Sequence, residues 1–154
     1  MLIKKDRRQI LTEKLGPETA DAVLGGLDYC RRAFEAIRLN ARPGMTEIEL
    51  KKDIDKAMTK PDGERIDYKY VFSSGLRTAL PDILHESEHV LETGQPVFLD
   101  IWFEYKGHWV DVCRTFFMGE AGKTAKGLYA ATLEAIGTLE NELAVGMTGA
   151  QAEL

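Results

Sequence analysis

The sequence predicts an α+β fold in which helices pack on an antiparallel sheet. Apolar residues recur at three- and four-residue steps through residues 17–41 and 46–58, the spacing of amphipathic helices. Residues 96–105 and 108–118 are instead two β-rich segments separated only by Lys106-Gly107, the length of a tight hairpin turn. With 154 residues, 44% hydrophobic and 29% charged, the chain is long enough for one globular domain or for part of one.

The first helix is predicted to begin at Gly16-Pro17 and to end before Arg42-Pro43, because proline suits a first helical turn and stops a helix elsewhere. The first dozen residues are polar and charged and show little periodicity. The apolar stripe expected to face the core consists of Ala20, Val23, Leu24, Leu27, Cys30, Phe34 and Ile37.

A second helix is predicted to begin at Thr46, because Thr46 and Glu49 form the capping-box pattern that satisfies free backbone N–H groups at a helix start. Residues 60–63, Lys-Pro-Asp-Gly, stop it with turn chemistry. A short strand from Tyr68 to Phe72 follows, and then a loop to about Glu92. The apolar side of the helix is expected to consist of Ile48, Leu50, Ile54, Ala57 and Met58.

The hairpin of residues 96–118 has a register that its two turn residues determine. If Lys106 and Gly107 form the turn, the residues on either side of them lie opposite each other. The expected pairs are Tyr105 with His108, Trp102 with Asp111, and Asp100 with Cys113. The face expected to meet the core carries Leu99, Ile101, Phe103, Tyr105, Val110, Val112 and Phe116.

Asp100 and Asp111 stand out because aspartate is depleted from strand interiors. In the expected register they are diagonal neighbours on the less apolar face, where two carboxylates repel each other unless a cation lies between them. Mn²⁺ and Mg²⁺ favour carboxylate oxygen, and Zn²⁺ and Co²⁺ are also compatible. The alternative is that both aspartates are solvated or paired with Arg or Lys.

The end of the chain predicts another helix and a repeated corner. Leu128, Thr132, Ala135, Ile136, Leu139 and Leu143 recur at helical steps. Gly146-Met147-Thr148 repeats Gly44-Met45-Thr46, and Gln151 follows Thr148 at the distance at which Glu49 follows Thr46. Either the match is a coincidence, or the domain has two similar halves of which the second has only begun.

Residues 100–116, Asp-Ile-Trp-Phe-Glu-Tyr-Lys-Gly-His-Trp-Val-Asp-Val-Cys-Arg-Thr-Phe, resemble the metal-binding hairpin of the family that contains prolidase, Xaa-Pro aminopeptidase, methionine aminopeptidase and creatinase. The segments 42–47 and 74–81 extend the resemblance. It implies the first half of a pita-bread fold, with residues 1–26 as an N-terminal helical extension. Residues 27–154 would be a partial catalytic domain whose second half begins at about residue 127 and is missing beyond residue 154.

The same resemblance implies a dinuclear-metal aminopeptidase or dipeptidase of the Xaa-Pro type, which hydrolyses an N-terminal peptide bond with a metal-bridged water. Two divalent ions, Mn, Co or Zn, would be bound by five ligands, with Asp100 on one ion and Asp111 on both. The substrate would be a peptide or small amide. No histidine follows Asp111, so the His and two Glu ligands of the second half are lacking, and the chain alone is expected to be inactive.

Two further departures from the family pattern concern substrate binding. Pro81-Asp82 stands where relatives carry Pro-His, and His85 is the candidate catalytic histidine that could replace it. Trp102 stands on the metal face where relatives have a small residue, which would narrow the pocket. The alternative function is a non-catalytic binding module of this fold, or a homodimer of two half-folds.

Charge and cysteine content limit the partners and the compartment. The net charge of -5 argues against nucleic acid and anionic membrane surfaces, which require clustered Lys and Arg. The opening residues lack the apolar stretch of a signal peptide, and no segment is expected to span a membrane. Because Cys30 and Cys113 are far apart in different elements, the sequence predicts a reduced, cytoplasmic protein.

Overall fold

A computed structural model describes residues 6–80 and 84–152. The chain divides into two compact units, residues 1–119 and 120–154. The opening residues 1–5, which entered the signal-peptide prediction, and Pro81-Asp82 lie outside the described residues. The elements in chain order are α1 (Arg7–Leu15), α2 (Pro17–Asn40), α3 (Glu47–Ala57), β1 (Lys69–Ser74), a 3-10 helix (Gly75–Ala79), β2 (Pro96–Tyr105), β3 (His108–Phe117), α4 (Lys123–Glu142) and α5 (Gly149–Ala152).

The three strands form one antiparallel sheet in the order β1-β2-β3, which confirms the predicted fold class. The β2–β3 turn consists of Lys106 and Gly107, with φ angles of 52° and 79°. Positive φ at both positions gives the turn a twist that matches the strands. The predicted pairs are confirmed: Tyr105 lies opposite His108, Trp102 opposite Asp111, and Asp100 opposite Cys113.

The core of the first unit lies between one face of the sheet and helices α2 and α3. Alternate residues of β2 point into it, and Val97, Leu99, Ile101 and Phe103 are all fully or almost fully buried. This alternation is the period of a strand with one covered face, so the predicted core face is confirmed. The helices and β1 contribute Tyr29, Cys30, Ala33, Ile37, Leu50, Ile54 and Phe72.

Helix α2 begins after Gly16, with Pro17 in its first turn, as predicted. The expected core residue Leu27 is exposed, so that part of the predicted stripe is wrong. The reason is the neighbouring Gly26, where a Cβ atom would lie 2.9 Å from Val110 Cγ1 of β3. The helix approaches the sheet through its glycines, and this contact turns Leu27 away from the core.

The N-terminal residues include a helix that periodicity alone did not indicate. The Asp6 side chain caps α1 by accepting a hydrogen bond from the Arg8 backbone N–H at 3.3 Å. Arg8 also forms an ion pair with Asp21 of α2 at 2.5 Å. The predicted boundary between residues 26 and 27 falls inside α2, and it stays a prediction about domain organisation.

Strand β1 is shifted relative to the predicted strand Tyr68–Phe72. It runs from Lys69 to Ser74, and Ser73 and Ser74 still pair with β2. The 3-10 helix Gly75–Ala79 follows it within the region predicted as loop. The two serines carry no strand pattern, so local sequence did not show how far the pairing extends.

The second unit contains the predicted helix as α4, and none of the side chains of α4 is buried. The repeated corner has the same local form in both places. Gly44 and Gly146 have φ angles of 88° and 98°, and each precedes a Met-Thr helix start. The matching hydrogen bonds run from Thr46 N to Glu49 Oε2 (2.8 Å) and from Thr148 N to Gln151 Oε1 (2.9 Å).

Through residues 6–80 and 84–152, no helix combines the length and the apolar character that crossing a lipid bilayer requires.

Candidate metal centre on the hairpin

Asp100 of β2 and Asp111 of β3 lie on the same face of the sheet. Asp111 is directly opposite Trp102, which is two residues along β2 from Asp100. Residues two apart on a strand, and residues opposite each other, point to one side. The buried side chain of Ile101 points to the other side of the sheet. The register therefore brings the two predicted metal ligands together, with Asp100 half-buried and Asp111 exposed.

The electrostatic state of Asp100 reflects this pairing. Burial raises the pKa of the Asp100 carboxyl group, and the charge of Asp111 raises it further. A hydrogen bond to the Ile101 backbone acts in the opposite direction and offsets only part of the effect. Both main causes disfavour the ionised form of Asp100, so a positive charge beside the pair would relieve both.

One oxygen atom of this pair has no donor. Asp100 Oδ1 is buried and has no hydrogen-bond partner in the described part of the chain. A buried acceptor without a partner costs about 1–3 kcal/mol, so such an atom is rare in a folded protein unless it binds something. A carboxylate oxygen that lacks a donor and adjoins a second carboxylate is a suitable ligand for a hard divalent cation.

The donor set fits a metal ion only in part. Across residues 6–80 and 84–152, no group of three or more His, Cys, Asp or Glu side chains is arranged to hold a metal. The two aspartates would therefore supply two ligands, and a divalent ion needs at least four. Cys113, opposite Asp100, is a poor third ligand because partial desolvation of this otherwise exposed residue and the Asp100 charge raise the pKa of its thiol and keep it protonated.

His85, the candidate catalytic histidine, has neighbours other than the aspartates. Its ring packs edge-on against Tyr70, with 4.9 Å between the ring centroids. Tyr70 lies opposite Ile101, so it belongs to the face of the sheet that Asp100 does not share. The His85 carbonyl accepts a hydrogen bond from Arg77 Nη2 at 2.9 Å. The structure thus brings the aspartates together but not His85, whose catalytic role stays a prediction.

A second polar cluster around Tyr70 is already satisfied by its own members. Lys51 is only 5% exposed, and its Nζ lies 2.8 Å from Asp55 Oδ1. The same ammonium group is 4.2 Å from the centroid of the Tyr70 ring. Asp55 also accepts hydrogen bonds from Tyr68 and Arg65, at 2.7 and 2.8 Å. Because Asp55 binds both Lys51 and Arg65, the cluster is a structural ion-pair network.

Glu47 is a fully buried carboxylate that the sequence pattern did not single out. Its Oε1 accepts hydrogen bonds from Ser74 N (2.6 Å) and Ser74 Oγ (2.7 Å). Its Oε2 accepts from Ser87 N (2.9 Å), from Ser87 Oγ (2.7 Å) and from Arg77. Glu47 therefore ties the start of α3 to the end of β1 and to the segment around residue 87.

The position of Glu47 bears on the aspartates through β1. Ser74 is three residues from Val71, and Val71 lies opposite Asp100 in the sheet.

The spacing of residues in α3 did contain a signal for Glu47, since Glu47 precedes buried Leu50 and Ile54 by three and seven residues on one helix face. A charged residue on a buried stripe indicates a polar partner inside the fold.

Solved structures similar to this chain are peptidases. The Xaa-Pro dipeptidase from Bacillus anthracis has a TM-score of 0.69 and 32% identity, and the match covers 99% of this chain and 39% of that protein. The X-Pro aminopeptidase from Thermotoga maritima has a TM-score of 0.73 at 24% identity, over 98% of this chain and 42% of that one. Helices on an antiparallel sheet with an acidic hairpin, matched in this way, define part of the pita-bread class of prolidases and aminopeptidases.

Within that class the family is given by the sequence. Residues 27–153 match the model of Metallopeptidase family M24, and the chain belongs to this family. The uncharacterized peptidase YqhT of Bacillus subtilis is 29% identical over 121 residues, which cover 79% of this chain and 34% of that protein. The chain thus spans little more than a third of the length of these relatives.

Proposed function

We propose that the chain is the front part of the catalytic domain of a two-metal Xaa-Pro peptidase, with Asp100 and Asp111 as metal ligands. The observation that carries the proposal is the buried Asp100 Oδ1, which has no donor in the described residues and adjoins a second carboxylate. The similarity to an Xaa-Pro dipeptidase supports the reaction class and the peptide substrate.

In this proposal the residues of the chain bind and orient the metal ions. Asp100 and Asp111, which share one face of the hairpin, would each supply a carboxylate ligand to the metal ions. Divalent ions such as Mn²⁺, Co²⁺ or Zn²⁺, when bound, supply an activated water and polarise a peptide carbonyl. The remaining ligands would come from chain outside these 154 residues, so the chain alone is expected to bind metal weakly and to be inactive.

Thermal unfolding with added Mn²⁺ or Zn²⁺ tests the assignment. A ligand at 100 times its dissociation constant stabilises the folded state by about 2.7 kcal/mol, which corresponds to a melting temperature higher by several degrees. Asp100→Asn and Asp111→Asn should each abolish that increase. Glu134→Gln is the matched control, because Glu134 is an exposed carboxylate on α4. Equal metal stabilisation of all four proteins would refute the proposal.

Self-association is a second candidate that one observation favours. Helix α4 and the residue that caps its C-terminus carry a row of exposed apolar side chains: Leu128, Tyr129, Leu133, Ile136, Leu139 and the capping Leu143. Exposed apolar surface of this kind is typical of a face that another surface covers. A pairing of two half-folds would cover it, and light scattering tests this: a monomer at all concentrations excludes the homodimer.

We also place the protein in the cytoplasm. Cys30 is buried and Cys113 is exposed, and both are free thiols. An exposed free thiol is typical of a reducing compartment. Fractionation of cells that express the protein would test this placement, and recovery of the protein outside the cytoplasm would refute it.

A further inference from the structure

A cleft of about 360 Å³ lies on the aspartate face of the sheet, toward the hairpin turn. Its position follows from the register: Trp102 lies between Lys69 of β1 and Asp111 of β3. The next row toward the turn pairs Glu104 with Trp109. The lining residues are Asp67, Lys69, Trp102, Phe103, Glu104 and Trp109. The cleft therefore begins directly beside the proposed metal pair.

Both tryptophans of the chain line this cleft. Trp102 is half-buried, and Trp109 remains 63% exposed. An indole ring offers a flat apolar surface to an aliphatic chain and a negative face to a cation. Two indoles at adjacent positions of one face therefore form a surface suited to a long side chain that ends in a positive charge.

The charged groups of the cleft favour a cation. Asp67 and Glu104 oppose the single positive charge of Lys69. In the part of the chain that the structure describes, none of these three side chains has an ion pair or a side-chain hydrogen bond. Asp67 and Glu104 also line a neighbouring cleft with Lys60, Arg65 and Lys106. The charged side chains that line the tryptophan cleft itself carry one more negative than positive charge, and this local excess favours a cation there.

We propose that this cleft is a subsite that binds a basic side chain, that of Arg or Lys, at the peptide residue preceding the scissile bond. This inference rests on the proposed function for the orientation of the peptide. The aliphatic stem would lie on the indoles of Trp102 and Trp109. The charged end would reach the carboxylates of Glu104 and Asp67. Trp102, beside Asp111, is then the specificity-determining residue of the hairpin.

Intrinsic fluorescence of the 154-residue chain reports directly on this cleft, because it contains every tryptophan. Three dipeptides would be titrated with and without Zn²⁺: Arg-Pro, its neutral isostere citrulline-Pro, and Glu-Pro. We expect Arg-Pro to bind at least about fivefold more tightly than citrulline-Pro, the order expected for a cation on an exposed indole with a nearby carboxylate. Glu-Pro should bind most weakly.

Glu104→Gln removes one charge without changing the size of the side chain, and it should lower the Arg-to-citrulline preference at least about threefold. The matched control is Glu88→Gln, at an exposed glutamate outside the cleft, which should leave the preference unchanged. Equal affinity for Arg-Pro and citrulline-Pro, an unaltered preference in Glu104→Gln, or emission that no dipeptide changes would each overturn the subsite.

The two proposals fail separately. A chain that prefers Arg-Pro but shows no response to Zn²⁺, and whose Asp100→Asn variant behaves identically, keeps the cleft as a binding site for a basic side chain and loses both the metal assignment and the placement of that side chain before the scissile bond. A chain that binds Zn²⁺ through Asp100 without any dipeptide preference keeps the metal assignment and loses the subsite.

Discussion

Replacing Glu47 by glutamine removes one negative charge from a fully buried position and leaves the shape of the side chain almost unchanged. The carboxylate accepts five hydrogen bonds, four of them from the backbone N–H and hydroxyl groups of Ser74 and Ser87. A glutamine has one acceptor oxygen and one NH₂ group. Whichever way the amide group turns, its NH₂ group faces the hydrogen-bond donors of either Ser74 or Ser87. Arg77 also loses the negative charge that it pairs with.

The magnitude follows from these losses. Removing one partner of a buried ion pair costs about 3–5 kcal/mol, because the remaining charge is left without compensation. The Arg77 side chain is 27% exposed, so water recovers part of that loss. We therefore expect Glu47→Gln to lower the free energy of unfolding by about 3 kcal/mol, the lower end of that range.

Urea unfolding followed by tryptophan fluorescence measures this, because Trp102 and Trp109 both report on the unit of residues 1–119. The control is Glu49→Gln in the same helix, because glutamine also completes a capping box. It should cost less than about 1 kcal/mol, the size of a charge effect at a helix start. A Glu47→Gln loss no larger than that of the control would refute the reasoning.

Three other outcomes are expected. Because the folded state raises the pKa of Asp100, its ionisation costs stability as the pH rises above the ordinary range of an aspartate. Asp100→Asn should therefore be more stable than wild type at pH 7 without metal, and urea titrations should show no difference near pH 3. Cys113 should react with a thiol reagent in the folded state because it is exposed, although slowly because its pKa is raised, whereas Cys30, buried and with its pKa raised to about 11, should react only on unfolding; equal rates would contradict this. Gly26→Ala should lower the melting temperature because the new Cβ meets Val110, and an unchanged value would show that α2 can move away.

The part of the site that could be predicted is the part set by local geometry. Lys106 and Gly107 both adopt positive φ, so the two-residue turn determines every pairing between β2 and β3. The shared face of Asp100 and Asp111 follows from that register and from strand alternation. The capping box of Thr46 could be read for the same reason, since all its atoms lie within one turn of helix.

The parts that could not be predicted depend on contacts distant in sequence. Glu47 accepts hydrogen bonds from Ser74 and Ser87, which are 27 and 40 residues away in sequence. No local sequence pattern indicates partners at that distance. The exposure of Leu27 depends on how closely α2 approaches β3 through Gly26, which is a property of the packed pair of elements. Periodicity identified the amphipathic helix but not which of its faces packs closest to the sheet.

Whether Asp111 shares a face with Asp100 depends on whether the number of residues between Asp111 and the hairpin turn is odd or even. An extra residue inserted between Lys106 and Gly107 lengthens the turn and leaves both arms aligned, so Asp100 and Asp111 stay together. Deleting one residue between the turn and Asp111 rotates every later side chain of β3 to the opposite side and drives Asp111 toward the core. Variation in length is therefore tolerable at the tip of this hairpin but not within a single arm.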